Sequence, residues 1–332
     1  MSRMQKLQME KEYRKTKIKT FLKKYILYPF IVMLLLCGVS IIIVFFSPYT
    51  YLKELYVTTA MTTMSHQYLA RIFVSNDEIK RIMDKNNIDD SMVKSKEDDV
   101  NTSKYSDKIE FIPLQKNKFK GYLMIIYNPS RVCVGTSSNL GSHGMKVLEI
   151  VNRYKAVAGI NAGGFSDEGG HGSGGTPEGI IIENYKVMYK QGLRTYSIIG
   201  FDSKNVLVLG KYTFEEIKKL NLRDAVSFKP FIIVNGASTI KSGNGGWGVG
   251  PRTIIGQRKD GAVLFLAIDG RQITSLGATL KDAADIMLEY GAYNAANLDG
   301  GASTTLVYDN KIQNSPCSRY GARFVPSAFI VK

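Results

Sequence analysis

Residues 263–271 read VLFLAIDGR: six apolar residues are followed by Asp269, Gly270 and Arg271. A short apolar run that ends at a turn signal predicts a buried β-strand. The carboxylate then lies at the strand end, beside a glycine that lets a ligand approach the backbone closely. The sequence therefore predicts a fold built on strands, with its chemistry where strands end.

Three more strand-like runs carry a short polar side chain next to glycine. Asn161 follows AVAGI, Asp299 follows AANL, and Glu178 lies just before GIII. Any one of these segments alone is more simply explained as an ordinary turn. Four in one domain favour a shared binding site, and we expect their side chains to converge on one pocket.

The remaining pattern favours strands over helices. Helices are predicted over residues 145–154, after Thr213, and from Thr279, where Asp282 occupies the capping-box position. No regular strand–helix–strand rhythm is present, so the predicted fold is α+β, with mixed β-sheets and a few packed helices. The other predicted strands are residues 122–127, 156–160, 179–183, 196–201, 206–209, 231–234, 253–257, 295–298, 304–308 and 328–331.

A single N-terminal transmembrane helix is predicted before this domain. Residues 25–46 contain no charged side chain, and at about 1.5 Å per residue a run of this length crosses a hydrocarbon core. A buried core helix and a cleaved signal peptide are the alternatives. The run is longer than the usual signal-peptide core, and Ser47, Pro48 and Tyr49 follow it where a small-residue cleavage site would stand. These features favour an uncleaved signal anchor.

The charge distribution predicts the orientation of this anchor. The chain carries a net charge of +15, of which residues 1–24 hold +7, residues 25–108 hold −1 and residues 109–332 hold +9. By the positive-inside rule, a basic segment before the span is cytoplasmic and the chain after it is outside. We therefore expect a single-pass cell membrane protein with an extracellular C-terminal domain. The basic residues of the tail then set the orientation of the span and contact anionic lipid headgroups. We therefore expect no nucleic-acid partner.

The predicted organisation has four parts. Residues 1–24 form the cytoplasmic tail, 25–46 the anchor, 47–108 a stalk and polar linker, and 109–332 the compact domain. The linker is expected because residues 75–108 are rich in Asp, Lys, Asn and Ser. Cys133 and Cys317 fall in the compact domain, where either a disulfide or two buried thiols is compatible with the sequence.

Several familiar chemistries find no support in the sequence. The chain lacks H-E-x-x-H, C-x-x-C, G-x-S-x-G and the phosphate-loop motif, so we expect no metal and no cofactor. The runs GGHGSGG (169–175) and GNGGWGVG (243–250) are glycine-rich, but neither clearly leads from a strand into a helix. His171, within the first run, is expected to be solvated rather than catalytic.

Seven separated motifs, in order along residues 110–332, resemble one known family. They look like the phosphodiester glycosidase domain of N-acetylglucosamine-1-phosphodiester α-N-acetylglucosaminidase and of bacterial relatives often labelled exopolysaccharide biosynthesis proteins. The motifs are INAGGF (160–165), TPEGIII (176–182), GPRTIIG (250–256), LAIDGR (266–271), TLKDAADIMLEYGAYNA (279–295), NLDGGAST (297–304) and RFVPSAFIV (323–331).

This resemblance implies hydrolysis of a sugar-1-phosphodiester. The leaving phosphate is a weak base, so the site must chiefly cradle phosphate charge and an oxocarbenium-like centre. Arg252 and Arg271 are the candidate phosphate clamps, because arginine binds phosphate bidentately; ion pairs with the aspartates are the structural alternative. The candidate catalytic carboxylates are Asp269, Asp299 and Glu178. The other candidate substrate-binding residues are Asn161, Gly300, Gly301, Ser303 and Thr304.

Two functions from different classes remain open at this point. The first is a membrane-anchored extracellular hydrolase whose substrate is an anionic glycan or sugar-1-phosphodiester in a cell-surface polymer. The second is a non-catalytic glycan-binding or scaffold protein of a polysaccharide assembly system. Turnover by the wild-type protein distinguishes them, because a binding protein retains glycan without cleaving it.

Overall fold

The computed structural model describes residues 3–63, 66–89, 93–96, 98–166, 172–318 and 320–332. Two compact units divide the chain, Met1–Glu54 and Leu55–Lys332. Residues 169–171 of the predicted glycine run, including His171, lie outside the described residues.

The first unit is helical. Helix α1 (Arg3–Leu22) continues through a π-helical turn (Lys23–Leu27) into α2 (Tyr28–Phe46), which has Pro29 in its first turn. There the missing N–H of proline costs little. Within the described residues, this continuous helix, Arg3–Phe46, is the one long and apolar enough to cross a membrane.

The second unit begins with three helices. They are α3 (Thr50–Met61), α4 (Tyr68–Phe73) and α5 (Asn76–Asn86); the first residues of α3 belong to the preceding unit. Val57, Ala70 and Ile82 from these helices are buried. Within the segment predicted as a stalk, α4 and most of α3 therefore belong to the folded unit.

The polar linker expected before residue 109 also belongs to this unit. Ser95 N donates to Leu209 O, and Asn101 N donates to Lys259 O. Lys94 forms an isolated antiparallel bridge with Gly210. The compact unit thus begins near Leu55, not near Ile109. Polar composition misled here because these residues bond to the surface of the domain through their backbones.

The largest sheet has seven strands in the order β1-β2-β13-β12-β14-β10-β11. All its recorded pairings are antiparallel. Its strands are β1 (Ile109–Gln115), β2 (Lys120–Ile126), β10 (Phe231–Val234), β11 (Ala237–Ser238), β12 (Arg252–Arg258), β13 (Val263–Ile268) and β14 (Ala292–Asn297).

Two five-stranded sheets complete the domain, in the orders β16-β15-β4-β17-β3 and β6-β5-β9-β7-β8. The first contains β3 (Val132–Thr136), β4 (Ala158–Asn161), β15 (Leu306–Tyr308), β16 (Lys311–Ile312) and β17 (Ser327–Val331). The second contains β5 (Ile180–Glu183), β6 (Lys186–Lys190), β7 (Tyr196–Phe201), β8 (Leu207–Tyr212) and β9 (Asp224–Ser227). Their recorded pairings are antiparallel too.

The α+β class is confirmed. The sheets do not mix strand directions among the recorded pairs. Strands β7, β10 and β13 run over the predicted residues. Six strands were not predicted. Among them, β1 carries Pro113 and lies at a sheet edge, where a missing N–H is tolerated.

A shared core joins the three sheets. Buried side chains from each sheet form one apolar cluster, which includes Phe265 from the largest sheet, Phe329 from the second and Phe201 from the third. Helix α8 (Leu280–Glu289) contributes Ala283 and Met287 to a second cluster with the seven-stranded sheet. These clusters fix the strand ends that carry the candidate residues.

The predicted helix starts are confirmed by their caps. Thr279 Oγ1 accepts from Asp282 N while the Asp282 carboxylate accepts from Thr279 N, which closes the capping box of α8. Thr213 and Glu216 form the same box at α7 (Phe214–Lys219). The helix predicted over residues 145–154 is α6 (Val147–Arg153).

Candidate active site

One cavity, of about 750 Å³, collects a subset of the predicted site residues. Its walls come from three regions: residues within 56–63 and 66–69, the turns around residues 247–252 and 297–303, and isolated side chains elsewhere in the domain. The predicted residues that line it are Arg252, Arg271, Asp299, Gly300, Gly301 and Ser303.

Asp299 stands on the loop that follows β14. It is half-buried and lines the cavity. Its backbone is held at both ends, because Asp299 N donates to Ala162 O at 3.0 Å and Asn161 Nδ2 donates to Asp299 O at 2.5 Å. Gly301, with φ of 61°, turns the chain into a short 3₁₀ helix just beyond. A side chain there would be strained, so glycine is required by the backbone.

Asn161 supports this loop from inside the protein. It is fully buried, and its Oδ1 accepts from Thr253 Oγ1 and from Thr305 N, both at 3.0 Å. Thr304 is also buried, with its hydroxyl 3.2 Å from that of Thr253. Neither Asn161 nor Thr304 is among the residues that line the cavity. Substrate binding by these two residues remains a prediction that the cavity lining does not support, and their hydrogen bonds go to other protein groups.

Arg252 begins β12 and is 5% exposed. Its Nε donates to Ala278 O, and its Nη2 donates to Trp247 O and Gly248 O at 2.7 and 2.6 Å. Burial, and then the charge of Arg271, lower the pKa of the Arg252 guanidinium from its ordinary value. Since its bonds go to backbone carbonyls, Arg252 does not offer the free bidentate fork expected from the sequence.

Arg271 presents the more open guanidinium. The residue is exposed and has φ of 58°, a left-handed conformation in the turn after β13. A Cβ built on Gly301 would lie 3.5 Å from Arg271 Nη1, so the guanidinium lies against the Asp299 loop. In the described part of the chain no carboxylate forms an ion pair with Arg271 or Arg252. The structural alternative, aspartate pairing of these arginines, is therefore not what the described residues show.

Asp269 is placed away from the cavity lining. It is 6% exposed, and its Oδ1 accepts from Ser315 N at 2.8 Å and Asn314 Nδ2 at 3.2 Å. Burial raises the pKa of this carboxyl, while the bonds from Ser315 and Asn314 oppose the rise. The expected catalytic role is thus not supported by its position, because its carboxylate anchors the loop that follows β16.

Glu178 is exposed and is likewise absent from the cavity lining. Its Oε2 lies near Gly164, at 3.3 Å from where a Cβ of that glycine would stand. Phe165, the next residue, does line the cavity and forms a bridge with Pro177. Among the three candidate carboxylates, Asp299 is the one that lines the cavity in the described part of the chain, so a site shared by all three remains a prediction.

The cavity also uses residues that the strand-end argument missed. Trp247 and Arg323 lie within motifs that the sequence had marked, a glycine-rich run and the C-terminal motif. Asn297 lines the cavity, is 1% exposed, and has no partner for its Oδ1 among the described residues. The helical segment contributes a further set: Tyr56, Thr59, Ala60, Thr62, Thr63, His66 and Leu69.

The cavity is electropositive. Arg252, Arg271 and Arg323 line it, and Asp299 is the one acidic residue among its lining in the described part of the chain. Across the described residues, no group of three or more His, Cys, Asp or Glu side chains is arranged to hold a metal ion. The arrangement suits an anionic ligand next to a single carboxylate.

Comparison with known proteins identifies related folds. The fold is similar to that of the zebrafish N-acetylglucosamine-1-phosphodiester α-N-acetylglucosaminidase catalytic domain, described as auto-inhibited by its pro-peptide. The match has a TM-score of 0.60 and 19% identity, and covers 70% of this chain and 86% of that one.

The matches to curated protein sequences cover smaller parts of the chain. The chain is 26% identical over 186 residues to the SPbeta prophage-derived uncharacterized protein YomE of Bacillus subtilis, covering 54% of this chain and 29% of that protein. It is 34% identical over 68 residues to the Bos taurus N-acetylglucosamine-1-phosphodiester α-N-acetylglucosaminidase, covering 20% and 13%. The chain thus spans less than a third of the length of these curated relatives. The family model for phosphodiester glycosidases matches residues 154–332, more than half of the chain, and the chain belongs to that family.

Proposed function

We propose that this protein is a membrane-anchored extracellular hydrolase that cleaves sugar-1-phosphodiester bonds in cell-surface glycopolymers or exopolysaccharide. The observation that carries the proposal is the placement of Arg252, Arg271 and Asp299 around one cavity. Family membership supports a phosphodiester glycosidase activity. The bovine relative's name supplies the bond type by analogy.

Phosphate recognition falls mainly to Arg271. Its guanidinium is exposed toward the Asp299 loop, and it makes no ion pair among the described residues. A planar guanidinium with open donors binds two phosphate oxygens at once. Arg252 adds a buried positive charge that is held in place by three carbonyl contacts. Together they stabilise the negative charge that grows on phosphate as the sugar bond breaks.

Asp299 is the proposed catalytic group. We assign it the removal of a proton from water as the water oxygen attacks the anomeric carbon. The bond between that carbon and the phosphate oxygen breaks, and its electron pair leaves with the phosphate. Because phosphate is a weak base, no second carboxyl is required to protonate the leaving group. Asp299 as a covalent nucleophile is the alternative, and product stereochemistry separates the two.

The sugar and its polymer find apolar and polar contacts in the same cavity. Trp247, Phe165 and Tyr56 supply aromatic surface, and aromatic rings of this kind combine a large apolar face with specific geometry. The unpartnered Asn297 Oδ1 is an acceptor for a sugar hydroxyl. The cavity volume of about 750 Å³ falls in the range of small-molecule sites.

The test is turnover by the full chain in detergent. The protein is incubated with a panel of sugar-1-phosphodiesters, and the products are followed by phosphorus and proton NMR. Release of the free sugar together with a phosphate monoester supports the proposal. Saturable binding of the same compounds without turnover, with wild-type protein and with added divalent cations, would instead support a glycan-binding scaffold.

A further inference from the structure

We propose that Thr59, on the helical segment before the family domain, is a positioning residue that holds Arg252 through the glycine-rich loop 243–250. The inference rests on the proposed function only in the kinetic test, which measures KM for a sugar-1-phosphodiester. Thr59 precedes the family match, which begins at residue 154, so no family motif covers it. The proposal is argued from the contacts on either side of the loop.

The glycine-rich loop 243–250 contacts the guanidinium of Arg252 through backbone carbonyls. Two of its carbonyls, on Trp247 and Gly248, accept hydrogen bonds from Arg252 Nη2. The third contact of the guanidinium goes to Ala278 O, and Ala278 exchanges backbone hydrogen bonds with Gly250 at the end of the loop. The orientation of the buried charge is therefore set by where the loop backbone lies.

Helix α3 contacts the same loop through two side-chain hydroxyls. Thr59 Oγ1 accepts from Val249 N at 3.0 Å and donates to Leu55 O at 2.6 Å. Thr62 Oγ1 donates to Trp247 O at 3.2 Å. Gly248 has φ of 57°, and a Cβ on it would come within 2.3 Å of Thr59 Cα. A helix and a loop this close leave the loop no room to shift toward the helix.

The beginning of the loop is fixed in the same way by α5. Asn86 is 1% exposed and its Oδ1 accepts from Asn244 N at 2.9 Å. Asn244 Nδ2 in turn donates to Thr58 Oγ1 at 3.0 Å, which ties the loop back to α3. Two helices thus hold both ends of a loop whose middle holds an arginine. Glycine-rich backbone without such contacts samples many conformations, and a displaced Arg252 charge stabilises an anion in the cavity less well.

The test compares Thr59→Val with Thr59→Ser in the full chain. Valine keeps the shape and removes the acceptor for Val249 N, while serine restores it. We expect Thr59→Val to raise KM for a soluble sugar-1-phosphodiester about five- to tenfold, the order of one lost hydrogen bond, and Thr59→Ser to restore most of it. Asn87→Ala is the matched control, because Asn87 is exposed on the same segment; it should leave KM unchanged.

A double-mutant cycle identifies the route of the effect. If Thr59 acts through Arg252, Thr59→Val in an Arg252→Lys background adds much less than it does alone, since neighbouring effects through one network are not additive. If the increase in KM of the double mutant equals the product of the two single-mutant increases, Thr59 acts on substrate independently of Arg252, and the proposal is overturned. Increased turnover in Thr59→Val would overturn it as well.

Hydrogen exchange gives a readout that needs no activity. Amides of residues 243–252 should exchange faster in Thr59→Val than in Thr59→Ser, with exchange in the sheets unchanged. Faster exchange in a protein that hydrolyses no sugar-1-phosphodiester keeps the positioning role and rejects the proposed reaction. Turnover by the wild type with unchanged exchange in Thr59→Val keeps the reaction and rejects the positioning role.

Discussion

Asn161 Nδ2 donates a 2.5 Å hydrogen bond to the carbonyl of Asp299, across 138 residues of sequence. Asn161 ends β4 in one five-stranded sheet, while Asp299 follows β14 in the seven-stranded sheet. Thr253 of β12 closes the contact through its hydroxyl. The cavity therefore lies where two sheets meet. The fully buried side-chain amide of Asn161 holds the backbone of the loop that carries Asp299.

The first prediction separates two aspartates that look alike in the sequence. Asp299→Asn should reduce kcat by roughly two to four orders of magnitude, the usual range for a lost general base. Asp269→Asn should change kcat by less than about tenfold, because its Oδ1 contacts go to Ser315 and Asn314 and an amide oxygen can accept them. Steady-state kinetics on both variants, with thermal melts to verify folding, checks the difference.

Equal loss of turnover in both variants, with both folded, would place Asp269 back among the catalytic groups. The sign of the stability effect is a second check. Burial raises the pKa of Asp269, so its ionisation opposes folding at neutral pH and this cost is relieved on acidification. Relative to Asp269→Asn, the wild type should therefore gain unfolding free energy as pH falls through the raised pKa.

The second prediction concerns the two arginines. Arg271→Lys should raise KM about tenfold or more with an intact fold, because a planar fork is replaced by a point charge. Arg252→Lys should lower the melting temperature as well as binding, since Arg252 also bonds Ala278, Trp247 and Gly248. Calorimetric titration with substrate on the Asp299→Asn background, together with thermal melts, measures both. An unchanged melting temperature in Arg252→Lys would contradict the structural part of its role.

The third prediction is the extent of the folded unit. Removal of residues 1–108 strips away Val57, Ile82 and the loop contacts of Asn86, all buried. We expect such a chain to lose several kcal/mol of unfolding free energy, at about 1.5–3 kcal/mol for each fully buried aliphatic side chain, and to aggregate. A chain that begins at Tyr49 should remain soluble and melt cooperatively. Equal melting temperatures for the two would show that residues 55–108 do not stabilise the domain.

The fourth prediction concerns the thiols, which are free in the structure. Burial, and then the charge of Asp224, raise the pKa of Cys133 to about 11 from its ordinary 9.0. At pH 9 its thiolate is then about fiftyfold scarcer than that of an ordinary thiol, and its alkylation is slower in proportion. Peptide mass spectrometry after iodoacetamide treatment measures this, with unfolded protein as the reference. Rapid labelling of native Cys133 at pH 8 would contradict the burial.

The fifth prediction is topology. Nine basic residues precede the uncharged span, so protease added to intact cells should remove an epitope placed after Lys332 and spare one placed before Arg3. Permeabilised cells serve as the control, because both epitopes should then be lost. Protection of the C-terminal epitope in intact cells would reverse the orientation and remove cell-surface polymers as substrates.

Sequence patterns predicted the features that depend on local physics. The strands β7, β10 and β13 are continuous apolar runs, and Thr279 begins α8 because its hydroxyl caps Asp282 N. Arg252, Arg271 and Asp299 share a cavity as the motifs implied. The strands and the cap can each be recognised within fewer than about ten residues, the scale on which turn, cap and strand preferences act.

The features that were missed depend on distant partners. Nothing near Asp269 in the sequence reveals that Ser315 and Asn314 occupy its carboxylate. The residues before Ile109 have the polar composition of a linker. They nevertheless bond to the domain through the backbone, as Asn101 does with Lys259. Composition measures affinity for water, whereas these contacts depend on which carbonyls the folded surface leaves unpaired.

The order of strands in one sheet has a consequence for how the protein matures. Strand β17, residues 327–331, lies between β3, residues 132–136, and β4, residues 158–161, both far earlier in the chain. That sheet stays split until residue 331 has been synthesised, so the domain cannot complete its fold progressively during synthesis. The nascent chain carries two unpaired strand edges, which are prone to non-native pairing. A frameshift or nonsense change ahead of residue 331 would therefore leave that sheet split, and would act as a folding lesion out of proportion to the length of this one strand.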